Sequence, residues 1–269
     1  MSRRRRRAAA SVRTSAEDIK GGVASGSAAS PAAALHDPAR IDAIDALRGG
    51  ALCLMIVYHF AFDLRVFGVT NADFEHDPFW LSFRALIVTS FMVLVGVSLV
   101  LAERAHLPRR HFWRRIAIIA ACAVAVSVAS WIAFRQTFIY FGILHAIAVA
   151  SILAAPLARW PRAALLVGAA VVAAGLAWSD PLFNARPLSW IGFVTTKPAT
   201  EDYVPLAPWA GVVALGIAMG DRLARNGFRA LAPLGRAPAW LRWLGRYSLF
   251  VYMVHQPLLL GGLWLVVRH

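Results

Sequence analysis

The sequence is poor in charge. Charged residues make up only 16% of its 269 residues, while hydrophobic residues make up 59%. The mean hydropathy of +0.60 is higher than the core of a soluble domain of this length needs, which excludes an ordinary soluble globular protein. The sequence therefore predicts an all-α, polytopic membrane protein.

Cysteine and acidic residues are also scarce. Cys53 and Cys122 are the two cysteines, both within apolar stretches, and their spacing forms neither a disulfide framework nor a metal site. Fourteen acidic residues stand against 28 basic ones, so the net charge is +14, nearly all of it from arginine. In a membrane protein such an excess usually lies in cytoplasmic loops and sets the topology.

Several common catalytic signatures are absent. The sequence contains no GxSxG, HExxH, Walker or GxGxxG pattern, so none of these marks hydrolase, zinc-protease, phosphate-loop or dinucleotide chemistry. It also contains no internal repeat, which transporters of this size commonly have. We expect no metal.

The first 40 residues differ from the rest of the chain. They begin MSRRRRR and continue with a run rich in Ala, Ser and Gly to about Pro38. With almost no large apolar residues, this segment is predicted to be a disordered basic tail. No apolar run follows the arginines, which argues against a cleaved signal peptide. Residues 41–269 are predicted to form the membrane domain.

Apolar runs within residues 41–269 predict about seven membrane spans, taking about 20 residues for each. Arginines concentrate in the connections at 103–115, 157–162 and 221–246. This alternation predicts a cytoplasmic N-terminus and an outer C-terminus. The predicted spans are 44–67, 79–102, 113–134, 138–156, 163–179, 206–223 and 244–267.

The first predicted span carries an unusual row of ionisable side chains. Asp45, Arg48, His59 and Asp63 fall within an arc of roughly 80° at ~100° per residue. Each ionised group at bilayer depth costs ~2.5–3.5 kcal/mol on insertion scales. We therefore expect this face to look into protein or into a water-filled cavity, with His59 beside a passage that reaches Arg48.

Other predicted spans also carry polar groups. Arg84 in the second span lies on the same side as Asp63, so the two are predicted to form a pair. The fourth span contains His145, and the seventh places Tyr252 and His255 on one face. At ~1.5 Å per residue, His59, His145 and His255 lie at overlapping depth. That coincidence favours a functional cavity over three separate structural histidines.

A neutral imidazole in such a cavity is suited to general base chemistry. It takes a proton from a hydroxyl or amine and returns it to a leaving group, while a nearby carboxylate such as Asp63 orients the ring. Arg48, at the inner mouth, is suited to the phosphates of an acyl donor. Asp202, in the outer loop 180–205, is expected to line an outer entrance for the acceptor.

These residues also carry a family resemblance. Arg48, ten intervening residues and His59 resemble the Arg-x10-His signature of membrane acyltransferases. The segments IDALRGGALCLMIVYHFAFDL, SFMVLVGVSLVLA, YFGILHAIAV, DYVPLAPWAGVVALGIAMG and LGRYSLFVYMVHQPLL together resemble bacterial proteins with a heparan-α-glucosaminide N-acetyltransferase catalytic-type domain. The similarity covers roughly residues 40–265 and implies a location in the bacterial inner membrane.

The resemblance implies transfer of an acetyl group from cytoplasmic acetyl-CoA to an amine or hydroxyl of a sugar on the other side. Two histidines match by position. His59 corresponds to the spanning histidine of the Arg-x10-His enzymes. His76 corresponds by location to the essential loop histidine of the lysosomal enzymes, which have more spans than this chain. Asp45 and Arg48 are then expected at the donor site, and Arg84, His145, Tyr252, His255 and Asp202 around the cavity.

Two alternatives remain open at the level of sequence. The ionisable face of the first span is also compatible with a transporter that relays protons or moves an anion. A non-catalytic membrane scaffold would use the same groups only to hold helices together. A proteoliposome assay distinguishes a transporter from an acyltransferase, because a transporter would take up its substrate without any acyl donor.

Overall fold

All regular structure in the described part of the chain is helical, which confirms the all-α prediction. The computed structural model describes residues 38–267, with side chains from residue 42 onward. Short 3-10 segments occupy Ala155–Arg159, Pro181–Asn184 and Arg229–Arg236. The α-helices are α1 (Pro38–Val66), α2 (Pro78–Arg104), α3 (Arg109–Ala133), α4 (Ile143–Ala154), α5 (Pro161–Ala177), the single-turn α6 (Arg186–Ser189), α7 (Leu206–Arg225), α8 (Ala239–Arg246) and α9 (Ser248–Val267).

Five helices in this range are long and apolar enough to cross a membrane. They lie at Asp42–Val66, Pro78–Arg104, Arg109–Ala133, Leu206–Arg225 and Ser248–Val267. The apolar helices at Ile143–Arg159 and Pro161–Ala177 are shorter. The count of seven spans and the orientation therefore stay predictions, and the predicted tail up to residue 37 lies outside the described residues.

Two helix starts were predicted too early in the sequence. The fourth span was expected from residue 138, but the helix begins only at Ile143, where Asp202 accepts a hydrogen bond from the Ile143 N–H at 2.8 Å. The seventh was expected from residue 244, but the chain breaks at Tyr247 between α8 and α9. Before that break, Gly245 packs on the backbone of α1, where a Cβ would lie 1.7 Å from the Asp45 carbonyl oxygen.

Helix α7 packs closely on α2, and small residues make this possible. A Cβ on Gly96 of α2 would lie 2.1 Å from the carbonyl oxygen of Val213. A Cβ on Gly216 of α7 would lie 2.5 Å from the carbonyl oxygen of Val93. Such small-residue contacts let helix backbones approach within a membrane. Together with α4, these helices enclose the largest hydrophobic core.

The polar face of α1 is turned toward protein, as its spacing predicts. Leu52 and Met55 on that face are buried, and so are the carboxylates of Asp45 and Asp63. On the opposite face, Val57 is 56% exposed, as expected for a side chain in contact with lipid. The burial pattern thus confirms the predicted orientation of the helix.

Ion pairs tie the arginine-rich connections together at one end of the bundle. Arg104 at the end of α2 contacts Asp221 of α7. Arg159 pairs with Glu103 at 2.8 Å, and Arg242 of α8 contacts Asp42 of α1. We call this the arginine-rich end. The loops 67–77, 134–142 and 178–205 meet at the opposite end.

Candidate functional site

A cleft of about 590 Å³ opens near the arginine-rich end. Its polar lining consists largely of basic side chains from three helices, which are Arg48 of α1, His111, Arg114 and Arg115 of α3, and Arg246 of α8. Apolar side chains of α2, α3, α4 and α9 form most of the remaining wall, and Tyr252 lies at its far end. The cleft therefore combines a cationic mouth with an apolar interior.

Two of these arginines are held by carboxylates. The Arg48 guanidinium donates to Asp45 at 3.3 Å and to the Ser98 hydroxyl at 2.6 Å. Arg246 lies 3.6 Å from the Asp45 carboxylate. Because Asp45 itself is buried, it fixes both guanidinium groups at the wall of the cleft.

Arg114 and Arg115 differ from these two. Neither takes part in an ion pair with any described residue. Two cationic groups at a cleft wall without carboxylate partners are available for a ligand that carries negative charge. The sequence places both among the arginines of the connection 103–115 and does not distinguish them from the others.

A pair of histidines lies beyond the end of the cleft. The imidazole rings of His59 in α1 and His255 in α9 are 4.9 Å apart and nearly perpendicular. The ring of Tyr252 lies 5.5 Å from that of His255. His255 is 7% exposed. Two of the histidines predicted at overlapping depth are thus in contact, in a largely buried position.

Both histidines use the same nitrogen to anchor the ring. His59 Nδ1 lies 2.9 Å from the Met55 carbonyl oxygen, and His255 Nδ1 lies 2.6 Å from the Tyr252 carbonyl oxygen. A carbonyl can only accept, so in each neutral ring Nδ1 carries the hydrogen and Nε2 holds the free lone pair. Each ring is therefore oriented with Nε2 as its proton acceptor.

Asp63 is paired with α9 and not with α2. The Gln256 side-chain amide donates to Asp63 Oδ1 at 2.8 Å, and no described cation lies within ion-pair distance of Asp63. The predicted Asp63–Arg84 pair is therefore wrong. Helix α9 packs against the outer half of α1, which places the amide of Gln256 within hydrogen-bond distance of the Asp63 carboxylate.

The cleft does not extend as far as His59. We expected His59 to border a passage from Arg48, but the lining ends at Tyr252, and His59 is not part of it. His255 contacts both the Tyr252 ring and the His59 ring. His59 is therefore linked to the arginine-lined cleft through the α9 side chains Tyr252 and His255. The pattern of α1 alone does not predict this contact.

His145 has a structural position. Its Nδ1 accepts from the Gly142 N–H at 3.3 Å, and its Nε2 lies 3.3 Å from the Ser127 hydroxyl. Both ring nitrogens are therefore occupied at the start of α4, and the ring does not line the cleft. Among the described residues, the structure shows no contact between His145 and the pair of His59 and His255, which it was predicted to join.

Asp202 holds the same helix terminus. Its carboxylate, which comes from the loop before α7, accepts a hydrogen bond from the Ile143 N–H at 2.8 Å. Burial raises the pKa of the Asp202 carboxyl, and the hydrogen bond from Ile143 opposes that rise. The positive charges of Arg84 and Lys197 also oppose it.

His76, the second candidate base, lies in the loop between α1 and α2. Its side chain is 85% exposed, and its Nδ1 lies 3.0 Å from Asp73 Oδ2. The hydrogen bonds that Asp73 accepts from the Glu75 and His76 backbone N–H groups lower the pKa of the Asp73 carboxyl, more than burial raises it. The structure shows no contact between His76 and the histidine pair.

A salt bridge joins two loops at the end opposite the arginine-rich end. Lys197 Nζ lies 2.9 Å from both carboxylate oxygens of Glu75. The hydrogen bond from Lys197 lowers the pKa of the Glu75 carboxyl below its ordinary value of 4.5. The bridge is therefore present at neutral pH and is lost when the pH falls through this lowered pKa.

Removing this bridge is expected to loosen the loop 68–77. The Lys197→Met variant should raise the hydrogen-exchange rate of the backbone amides in this loop about twofold, since an exposed ion pair contributes about 0.5 kcal/mol to stability. Glu75→Gln should have the same effect, and the double variant no more than either. Additive effects in the double variant would show that the two side chains act separately.

The fold and the site together define a polytopic membrane protein with a cationic cleft that leads to a buried histidine pair. The sequence model of the heparan-alpha-glucosaminide N-acetyltransferase catalytic domain matches residues 40–257. The chain belongs to this family, which suggests a membrane acetyltransferase. No curated protein and no solved structure matches the chain.

Proposed function

We propose that the chain is a transmembrane acetyltransferase that takes its acetyl group from cytoplasmic acetyl-CoA and passes it to an amine or hydroxyl of a sugar on the outer side. The observation that carries this proposal is the cleft, whose cationic mouth and apolar interior end at Tyr252 beside His255. The arginine-rich end is then the cytoplasmic end, in agreement with the positive-inside rule.

The donor enters this cleft with its phosphates at the arginines. Arg114 and Arg115 have no described carboxylate partner and form charge-assisted hydrogen bonds with phosphate oxygens. Arg48 and Arg246 add positive charge and are held in place by Asp45. The apolar wall then receives the pantetheine arm, which directs the thioester toward Tyr252.

The histidine pair moves the proton. His59 Nε2 takes the proton from the attacking nitrogen or oxygen, whose lone pair forms a bond to the acetyl carbonyl carbon. The carbon–sulfur bond breaks, and a proton passes by way of His255, the histidine nearer the cleft, to the leaving thiolate. One proton is removed and one is delivered, so both imidazoles end neutral.

An assay with purified protein in proteoliposomes tests this proposal. Labelled acetyl-CoA is supplied with glucosamine or glucose, and both released thiol and acetylated sugar are measured. We expect thiol release that depends on protein and increases with acceptor. Failure to bind acetyl-CoA or release thiol would contradict the proposal. Proton-coupled uptake without a donor would support the transporter instead.

A further inference from the structure

Unpaired polar atoms mark a second small site beside the histidine pair. Among the described residues, four buried side-chain atoms have no hydrogen-bond partner within the protein. They are Asp63 Oδ2, Thr70 Oγ1, His255 Nε2 and Gln256 Oε1. Most buried polar atoms in folded proteins are paired. All four lie in α9 or at the end of α1 and the turn that follows it, and the Asp63 and Gln256 side chains are in direct contact.

The hydrogen bonds already present decide what these atoms can do. Gln256 uses its amide nitrogen to donate to Asp63 Oδ1 at 2.8 Å. The reverse orientation of the amide would place two acceptor oxygens together, so Oε1 is the atom left over. His255 uses Nδ1 for the Tyr252 carbonyl. The unpaired atoms of Asp63, His255 and Gln256 are therefore all hydrogen-bond acceptors.

Three acceptors call for a ligand that donates. Asp63 is 1% exposed, and no described cation lies within ion-pair distance of its carboxylate. A buried carboxylate with a single hydrogen bond is costly unless another group supplies donors or positive charge. The group that fits here carries several N–H or O–H donors and approaches from the end where α1 terminates.

We propose that Gln256 is a positioning residue for the acceptor and that its Oε1, together with Asp63 Oδ2, holds the group that attacks the acetyl donor. This inference rests on the proposed acetyl transfer. It gives a role to a residue that the sequence alone does not single out, and it places the attacking group beside His255 and His59. Thr70 belongs to the loop 68–77, which follows α1.

The count of acceptors also sets a preference among ligands. A single hydroxyl offers one hydrogen to three acceptors. A protonated primary amine offers three hydrogens, together with a positive charge for Asp63. It gives one proton to that carboxylate before its lone pair attacks, and the carboxyl later releases this proton to the outer solution. Glucosamine and glucose differ only in this group at one ring carbon, so they form a matched pair of probes for the subsite.

Binding measured by titration calorimetry in detergent tests the role of Gln256 without relying on turnover. Wild-type protein with bound CoA should bind glucosamine at least tenfold more tightly than glucose. Gln256→Met should weaken glucosamine binding about tenfold, as expected for loss of a hydrogen bond to a charged group. Acetyl-CoA binding should stay unchanged. Gln256→Asn keeps both the donor and the acceptor of the amide on a shorter side chain and should recover part of the affinity.

Gln136→Met provides the matched control. Gln136 is an exposed glutamine in the loop after α3, so this change should leave both sugars unaffected. Equal binding of the two sugars by the wild type, or unchanged glucosamine binding by Gln256→Met, would overturn the inference. A Gln256→Met protein that also loses acetyl-CoA would point to a merely structural role and overturn it too. Selective glucosamine binding without acetyl transfer would support the subsite and contradict the proposed function.

Discussion

Replacing His59 with alanine is expected to lower kcat for acetyl transfer about a thousandfold, within the usual range for loss of a general base. The ring is held by the Met55 carbonyl with Nε2 free, so its loss removes the proposed proton acceptor. Because His59 does not line the cleft, the Kd for acetyl-CoA should change less than twofold. Initial rates at saturating donor, with donor binding measured in parallel, check both statements.

Two further variants sharpen this test. His255→Ala should cost a similar factor, and the double variant should be little worse than either single one, because residues that act as a unit are not additive. His76→Ala should retain the wild-type rate, since its side chain is exposed and is bonded to Asp73. Loss of activity in His76→Ala with full activity in His59→Ala would show that the base has been assigned to the wrong histidine.

The fold was predictable from the sequence where a single helix determines the pattern. Long apolar runs gave all five long helices, and the spacing from Asp45 to Asp63 gave the buried face of α1. The sequence could not give the helix start at Ile143, because that start depends on a carboxylate from residue 202. The break at Tyr247 likewise depends on the contact between Gly245 and the backbone of α1.

The site shows the same division. His59 could be selected from its own helix, because an ionisable group at that depth is costly unless it faces protein. Its contact with His255 joins residues almost 200 positions apart, and depth alone suggested His145 equally. Charge complementarity favoured Arg84 as the partner of Asp63, yet the neutral amide of Gln256 has that place. Helix packing determines which of these partners is in contact, and the residue pattern of a single sequence does not predict how the helices pack.

Replacing Arg115 with glutamine is expected to raise the Kd for acetyl-CoA about 10- to 100-fold. A hydrogen bond to a charged group contributes about 1.5–3 kcal/mol, which corresponds to this range of affinity. Arg115 lines the cleft and has no described carboxylate partner, so the change leaves no buried anion behind. The folded fraction and the thermal midpoint should therefore stay close to those of the wild type.

Arg110→Gln is the matched control for this change. Arg110 lies on the same helix within two turns of Arg115, and both side chains are exposed, but Arg110 does not line the cleft. Both variants remove one positive charge from the same end of the molecule, so a general electrostatic effect would weaken donor binding equally in the two. A selective loss in Arg115→Gln, which shrinks when dephospho-CoA thioester replaces acetyl-CoA, would place the donor phosphates at this wall. Equal effects in the two variants would mean that the donor binds elsewhere.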